Sequence, residues 1–189
     1  MEKRTVLGIA VAFEGGLAVL AWGLGAAFGA PAFGGLRLTW PAAVQGVAAS
    51  LPLLAGVALA LRSRWPPLVR LREMIRHVVA ELFARFTVAD LAIVSVLAGI
   101  GEEALFRGFL QTALAGRLGT WTAVAVTSLL FGLAHFVSLT YAVYAAAVGV
   151  YLGVLLVVCD NLLVPVVVHA VFDFGALTYL VHVRRPGAG

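Results

Sequence analysis

Gly101-Glu102-Glu103-Ala104-Leu105-Phe106-Arg107 sets two adjacent carboxylates and an arginine in the middle of an apolar run from Val88 to Leu118. About 20 apolar residues are enough to cross a bilayer as a helix, so this run is long enough to do so. On insertion-based scales one central acidic or basic residue costs about 2.5–3.5 kcal/mol, and three together cost on the order of 8–10 kcal/mol. A membrane helix that carries such a cost does so for a site.

The composition around this stretch points the same way. Hydrophobic residues make up 62% of the 189 residues and charged residues only 12%, and the mean hydropathy is +1.05. Soluble domains carry about a quarter charged residues, so an all-α polytopic membrane protein is expected, one integral domain over residues 1–189. At about 20 residues per span, this length holds about six transmembrane helices. The single cysteine, Cys159, excludes an intrachain disulfide and a cysteine-based metal cluster. The net charge of +4 gives no reason to expect a nucleic-acid partner, because the arginines gather between the apolar runs. The first apolar run is long and lacks a small-x-small cleavage pattern, so it is expected to be retained as a span.

The spans are expected at Val6–Ala30, Ala42–Leu61, Val88–Leu118, Trp121–Val137, Tyr141–Val158 and Leu162–Val183. Between the second and third lies the one clearly charged segment, Arg62 to Arg85. Its apolar residues Leu68, Leu71, Ile75, Val78, Val79, Leu82 and Phe86 recur at three and four residues. That spacing predicts an amphipathic helix, and its arginine-rich polar face suits the cytoplasmic interface. Lys3, Arg4, this arginine cluster and Arg184-Arg185 fall on one side of a six-span chain. The positive-inside rule therefore places both termini in the cytoplasm. Gly149 and Gly153, four apart, form a small-residue face suited to close helix packing.

Three constellations carry the chemistry. Glu103 and Arg107 are four apart and can pair on one helix face, while Glu102 points about 100° away. Phe131 and His135 are four apart on the next helix, and His169 and Asp173 are four apart on the last. Glu102 lies fourteen residues before Gly116 and His135 fifteen after Thr120. Antiparallel helices would therefore bring them to one height, about 21–22 Å from the intervening turn at 1.5 Å per residue. His169 is nine residues beyond Asp160, about 13 Å on the same measure, so either that turn dips into the membrane or tilt makes up the difference.

Each constellation also admits a structural reading: Glu103–Arg107 as a neutralised pair, a histidine as a satisfied core residue. Glu102 has no such local partner. Glu14, in the first span, is either a partner for an arginine or faces a polar cavity. Functionally, a carboxylate withdrawn from water becomes a competent base near neutrality, and two histidines can orient a water and stabilise an oxyanion. Zinc is the alternative: Glu102, His135 and His169 make a two-histidine, one-glutamate set that leaves a position open for water. Two other classes stay open, a non-catalytic membrane immunity or binding protein and a small proton-coupled transporter. No inverted repeat or paired helix break supports the transporter.

Taken together, Glu102-Glu103-x-x-x-Arg107, Phe131-x-x-x-His135 and His169-x-x-x-Asp173 resemble the family of CAAX-processing and bacteriocin-processing (CPBP, or Abi) intramembrane proteases. The likeness spans the catalytic core, about residues 88–183. It implies an intramembrane peptidase, of glutamic or metal-dependent type, in which Glu102 and His135 activate water and His169 with Asp173 binds the oxyanion. Glu103, Arg107 and Phe131 would support the site. It implies a substrate that is a membrane-associated peptide or protein, lipidated or carrying a C-terminal sorting tail, in the cytoplasmic membrane of a prokaryote. Prenyl-protein endopeptidases of the family carry asparagine where this chain has Asp173, and an ionised aspartate cannot donate a hydrogen bond.

Overall fold

The structure, a computed structural model, describes residues 2–183; Met1 and residues 184–189, which include the Arg184-Arg185 pair expected in the cytoplasm, lie outside the described residues. Within them the chain is helical, with no strand: α1 Lys3–Phe28, α2 Trp40–Arg62, α3 Pro66–Phe83, α4 Val88–Glu103, α5 Thr112–Leu118, α6 Thr120–Ala134, α7 Leu139–Cys159 and α8 Leu163–Thr178. Two π-helical segments interrupt or extend this series, Ala104–Gln111 between α4 and α5 and Tyr179–Val183 after α8.

Among the described residues, four helices are long and apolar enough to cross a membrane: α1, α2, α7 and α8 with its extension. The charged third span appears as the α4, π-helical and α5 succession, and the fourth as α6, which at 15 residues is shorter than a usual span. The chain is an integral membrane protein by these helices. The amphipathic segment is α3, and it meets the Val88–Leu118 run at 113°. Proline in the first turn of α3 is tolerated because the missing N–H has no intrahelical partner there. From α3, Val79 with Ile75 and Phe83 joins a core containing Val6, Phe86 and Leu91.

Helix α4 opens with a capping box: the Thr87 amide donates to Asp90 Oδ2 at 2.7 Å and the Asp90 amide donates to Thr87 Oγ1 at 3.3 Å. Lys3 Nζ reaches the same carboxylate at 2.6 Å, tying the start of α1 to the start of α4. Eleven residues further along both helices, the Glu14 carbonyl oxygen lies against Gly101, where a Cβ would collide with it. The two helices therefore run parallel, and only glycine lets Glu14 come this close to the residue preceding Glu102.

The turn between α7 and α8 is held by side chains. Asp160 is left-handed, with φ 47°, and Asn161 is only 5% exposed. The Asn161 carboxamide accepts from the Arg37 amide at 3.0 Å and donates to the Arg37 carbonyl at 2.9 Å. The Arg37 guanidinium in turn binds the Asp160 carboxylate at 3.1 Å and its main-chain oxygen. The turn is thus fastened to the link between α1 and α2 through Asn161, with the exposed Arg37–Asp160 pair on its outer side.

Candidate active site

Glu103 ends α4 at the point where the backbone widens into the π-helical turn, a feature that re-aims the side chains beyond it. Its Oε1 accepts from Arg107 Nη1 at 2.8 Å and from His169 Nδ1 at 2.8 Å. Glu103 is 0% and Arg107 1% exposed, and His169 is buried with them. Arg107 Nη2 donates to the Gly149 carbonyl at 3.1 Å, and one turn on Gln111 Nε2 donates to the Gly153 carbonyl at 3.1 Å. The expected small-residue face of α7 is therefore also an acceptor ladder. At Gly149 an added Cβ would come within 3.1 Å of the Ser128 Cα on α6, so the missing side chain is what permits the contact. The Arg107–Glu103 pair does more than neutralise the helix: through Glu103 it holds His169 across the bundle.

Phe131 lies against the Arg107 guanidinium and against both imidazoles. Its centroid is 4.4 Å from the Arg107 guanidinium carbon and 4.4 Å from the His135 ring, and 6.1 Å from the His169 ring in an edge-on arrangement. One aromatic side chain thus receives a cation–π contact and fixes the spacing of two histidines.

Glu102 faces the other way. Its Oε2 is 3.5 Å from His135 Nε2, which matches the heights expected from the hairpin. The His135 ring is oriented by its other nitrogen, Nδ1, 2.9 Å from the Phe131 carbonyl. A carbonyl only accepts, so Nδ1 carries the hydrogen and the Nε2 lone pair of the neutral ring is directed at Glu102. Glu102 Oε2 is buried and has no hydrogen-bond partner among the described residues. On the far side, His169 Nε2 is 3.5 Å from Asp173 Oδ2. Glu102, Glu103, Arg107, Phe131, His135, His169 and Asp173 therefore gather at one place, from three separate stretches of chain.

A chamber of about 80 Å³ lies among Phe131, His135, His169 and Asp173. Tyr141 and Tyr144 of α7 also line it, and spacing gave no sign of either, since tyrosines in an apolar helix look like ordinary packing. The same tyrosines and Asp173 border a larger apolar cavity of about 400 Å³ beneath α3. Glu14 pairs with no arginine among the described residues, and its Oε2 is buried without a partner.

Zinc was an open reading of Glu102, His135 and His169. Both ring nitrogens of His169 are directed at carboxylates, and no group of three His, Cys, Asp or Glu side chains among the described residues is arranged to hold a metal ion.

The fold and the site define a class: a helical membrane protein with carboxylates and histidines gathered inside its bundle. Residues 84–175 match the family described as type II CAAX prenyl endopeptidase Rce1-like, and these residues include all three motifs. The core that holds the site is thus similar to the Rce1-like family, consistent with the CPBP resemblance. Protein YpbD of Bacillus subtilis (strain 168), itself uncharacterized, is 32% identical over 110 residues, which cover 56% of this chain and 54% of that protein. The chain thus spans about half the length of that relative. No solved structure matches it.

Proposed function

We propose that this protein is an intramembrane endopeptidase that hydrolyses a peptide bond of a membrane-associated protein or peptide by water activated between Glu102 and His135. The observation that carries the reading is the Glu102–His135 pair. Its oxygen and nitrogen face each other at 3.5 Å, too long for a good direct hydrogen bond and suited to sharing one water. Glu102 Oε2 is unspent, and the Phe131 carbonyl fixes the His135 tautomer. Glu102 takes the water proton, His135 orients the water, and Glu102 returns the proton to the leaving amine. His169, held by Glu103, and Asp173 border the space where the carbonyl would sit.

The apolar cavity beneath α3 suits a hydrophobic substrate segment, including a lipidated tail or an apolar sorting tail. Arg72 of the arginine-rich helix α3 borders it, and that helix suits the cytoplasmic face of a prokaryotic membrane. The family's description as a prenyl endopeptidase supports this substrate class.

The test is cleavage by purified protein in nanodiscs, read by mass spectrometry, of peptide libraries with and without an S-farnesyl cysteine. Wild type cleaves members of one library, and Glu102→Gln and His135→Ala do not. No cleavage by wild type, or full cleavage by both variants, overturns the reading. Binding without cleavage favours the immunity or sequestering protein, and proton-coupled solute uptake into liposomes the transporter. Cleavage persists after treatment with a strong zinc chelator; loss that added zinc restores would replace the glutamate mechanism with a metal one.

A further inference from the structure

Tyr144 lies on α7 three residues after Tyr141. Its ring packs against the core formed by Val148, Leu152, Val164 and Val168. It borders both the small chamber, with His135, His169 and Asp173, and the apolar cavity beyond it. Its phenolic oxygen is buried and has no hydrogen-bond partner among the described residues. Tyr151, two turns further along the same helix, shows the usual arrangement: its hydroxyl donates to the Ala49 carbonyl at 2.8 Å. A buried hydroxyl left unpaired forfeits about 1–3 kcal/mol, so native proteins leave few of them without a task.

The chemistry of the chamber supplies a task. Attack of water on a peptide carbonyl moves the C=O π pair onto oxygen, and that oxygen needs a hydrogen-bond donor. An ionised Asp173 only accepts. The Nδ1 hydrogen of His169 is given to Glu103, and that of His135 to the Phe131 carbonyl. Tyr141 and Tyr144 both line the chamber, and of the two the Tyr144 hydroxyl is the fully buried donor with no partner among the described residues.

We propose that Tyr144 is a catalytic residue that donates a hydrogen bond to the oxygen of the scissile carbonyl in the tetrahedral intermediate. The assignment rests on the endopeptidase reading. In the first step the water oxygen bonds to the carbonyl carbon, Glu102 takes one water proton, and the π pair moves to the oxygen held by Tyr144. In the second step the C=O bond re-forms and the C–N bond breaks with its electron pair leaving on nitrogen. The nitrogen takes the proton from Glu102, giving an acid and an amine. Tyr144 keeps its proton throughout. This role explains how the site works with aspartate, rather than a donating amide, at position 173.

Tyr144→Phe removes one oxygen and keeps the ring, so the packing on α7 and α8 is retained. In nanodiscs, with a peptide that wild type cleaves, kcat falls by about 10²–10³-fold, the loss typical of one oxyanion donor. KM stays within about twofold. Inhibition by a phosphinic analogue of that peptide, which carries the tetrahedral oxyanion, weakens by a similar factor. Tyr151→Phe, which removes a satisfied hydroxyl away from the chamber, lowers Tm without changing kcat. A Tyr144→Phe protein with wild-type kcat and wild-type affinity for the phosphinate overturns the proposal, and so does a loss carried by KM alone. If Glu102→Gln is inactive in the same experiment, the endopeptidase reading survives that result. If Glu102→Gln and His135→Ala both cleave fully, the endopeptidase reading falls and the Tyr144 assignment falls with it.

Discussion

Glu102 and Glu103 are neighbours in the chain, each faces a histidine from another helix, and their surroundings are opposite. Glu103 is fully buried and takes two hydrogen bonds at 2.8 Å, from Arg107 and His169. Glu102 meets His135 only at 3.5 Å and leaves an oxygen unspent. Both bonds of Glu103 fall on Oε1, and its Oε2, like that of Glu102, has no partner among the described residues. What sets Glu103 apart is its anchorage to a buried cation, and moving it would strand a charge in a medium that cannot solvate it. A buried carboxylate without such an anchor is poised for a ligand or a proton. The rotation of about 100° between adjacent helical positions is enough to separate these two duties.

The sharpest way to break this contrast is to neutralise the unspent carboxylate. Glu102→Gln is expected to lower kcat by about 10²–10⁴-fold, the range for loss of a general base, while Tm in detergent holds or rises because a buried charge is removed without orphaning a partner. A drop in Tm with activity retained would reverse the two assignments. Next in size is Arg107→Ala, which leaves Glu103 buried with its cation gone. A loss of about 3–5 kcal/mol of stability is expected, read as lowered Tm and lower yield of folded protein. Near-wild-type stability would mean that Glu103 does not hold the charge assigned to it. The smallest effect is expected at Phe131, where the two halves touch. Phe131→Leu keeps an apolar filler and removes the stacking on Arg107 and His135, costing about 1–2 kcal/mol of stability. Its kcat falls several-fold as His135 loses its wall. Unchanged kinetics would show that the Phe131 carbonyl, and not its ring, orients the histidine.

Much of the site was legible because its pairs are local. Glu103–Arg107, Phe131–His135 and His169–Asp173 are all four apart, and the helix itself makes such neighbours. The Glu102–His135 meeting was also within reach, since a hairpin matches heights on either side of its turn. Glu103–His169 was not. Those residues are 66 positions apart, and their contact depends on how α8 packs against α4, which no local spacing encodes. Tyr144 was hidden for a different reason. In an apolar helix a tyrosine signals only packing, and its significance lies in a hydroxyl left without a partner, which is a property of neighbours contributed by other helices.

What the sequence by itself determined, then, is the membrane class, the helices and the surface-lying α3, because hydropathy and its period act over one segment at a time. It also determined which residue types share a helix face. The tertiary structure alone decided which carboxylate is bound and which is free, since that turns on the rotation, depth and tilt of helices set by packing between distant segments. No spacing rule within one helix can encode the angle at which another helix arrives.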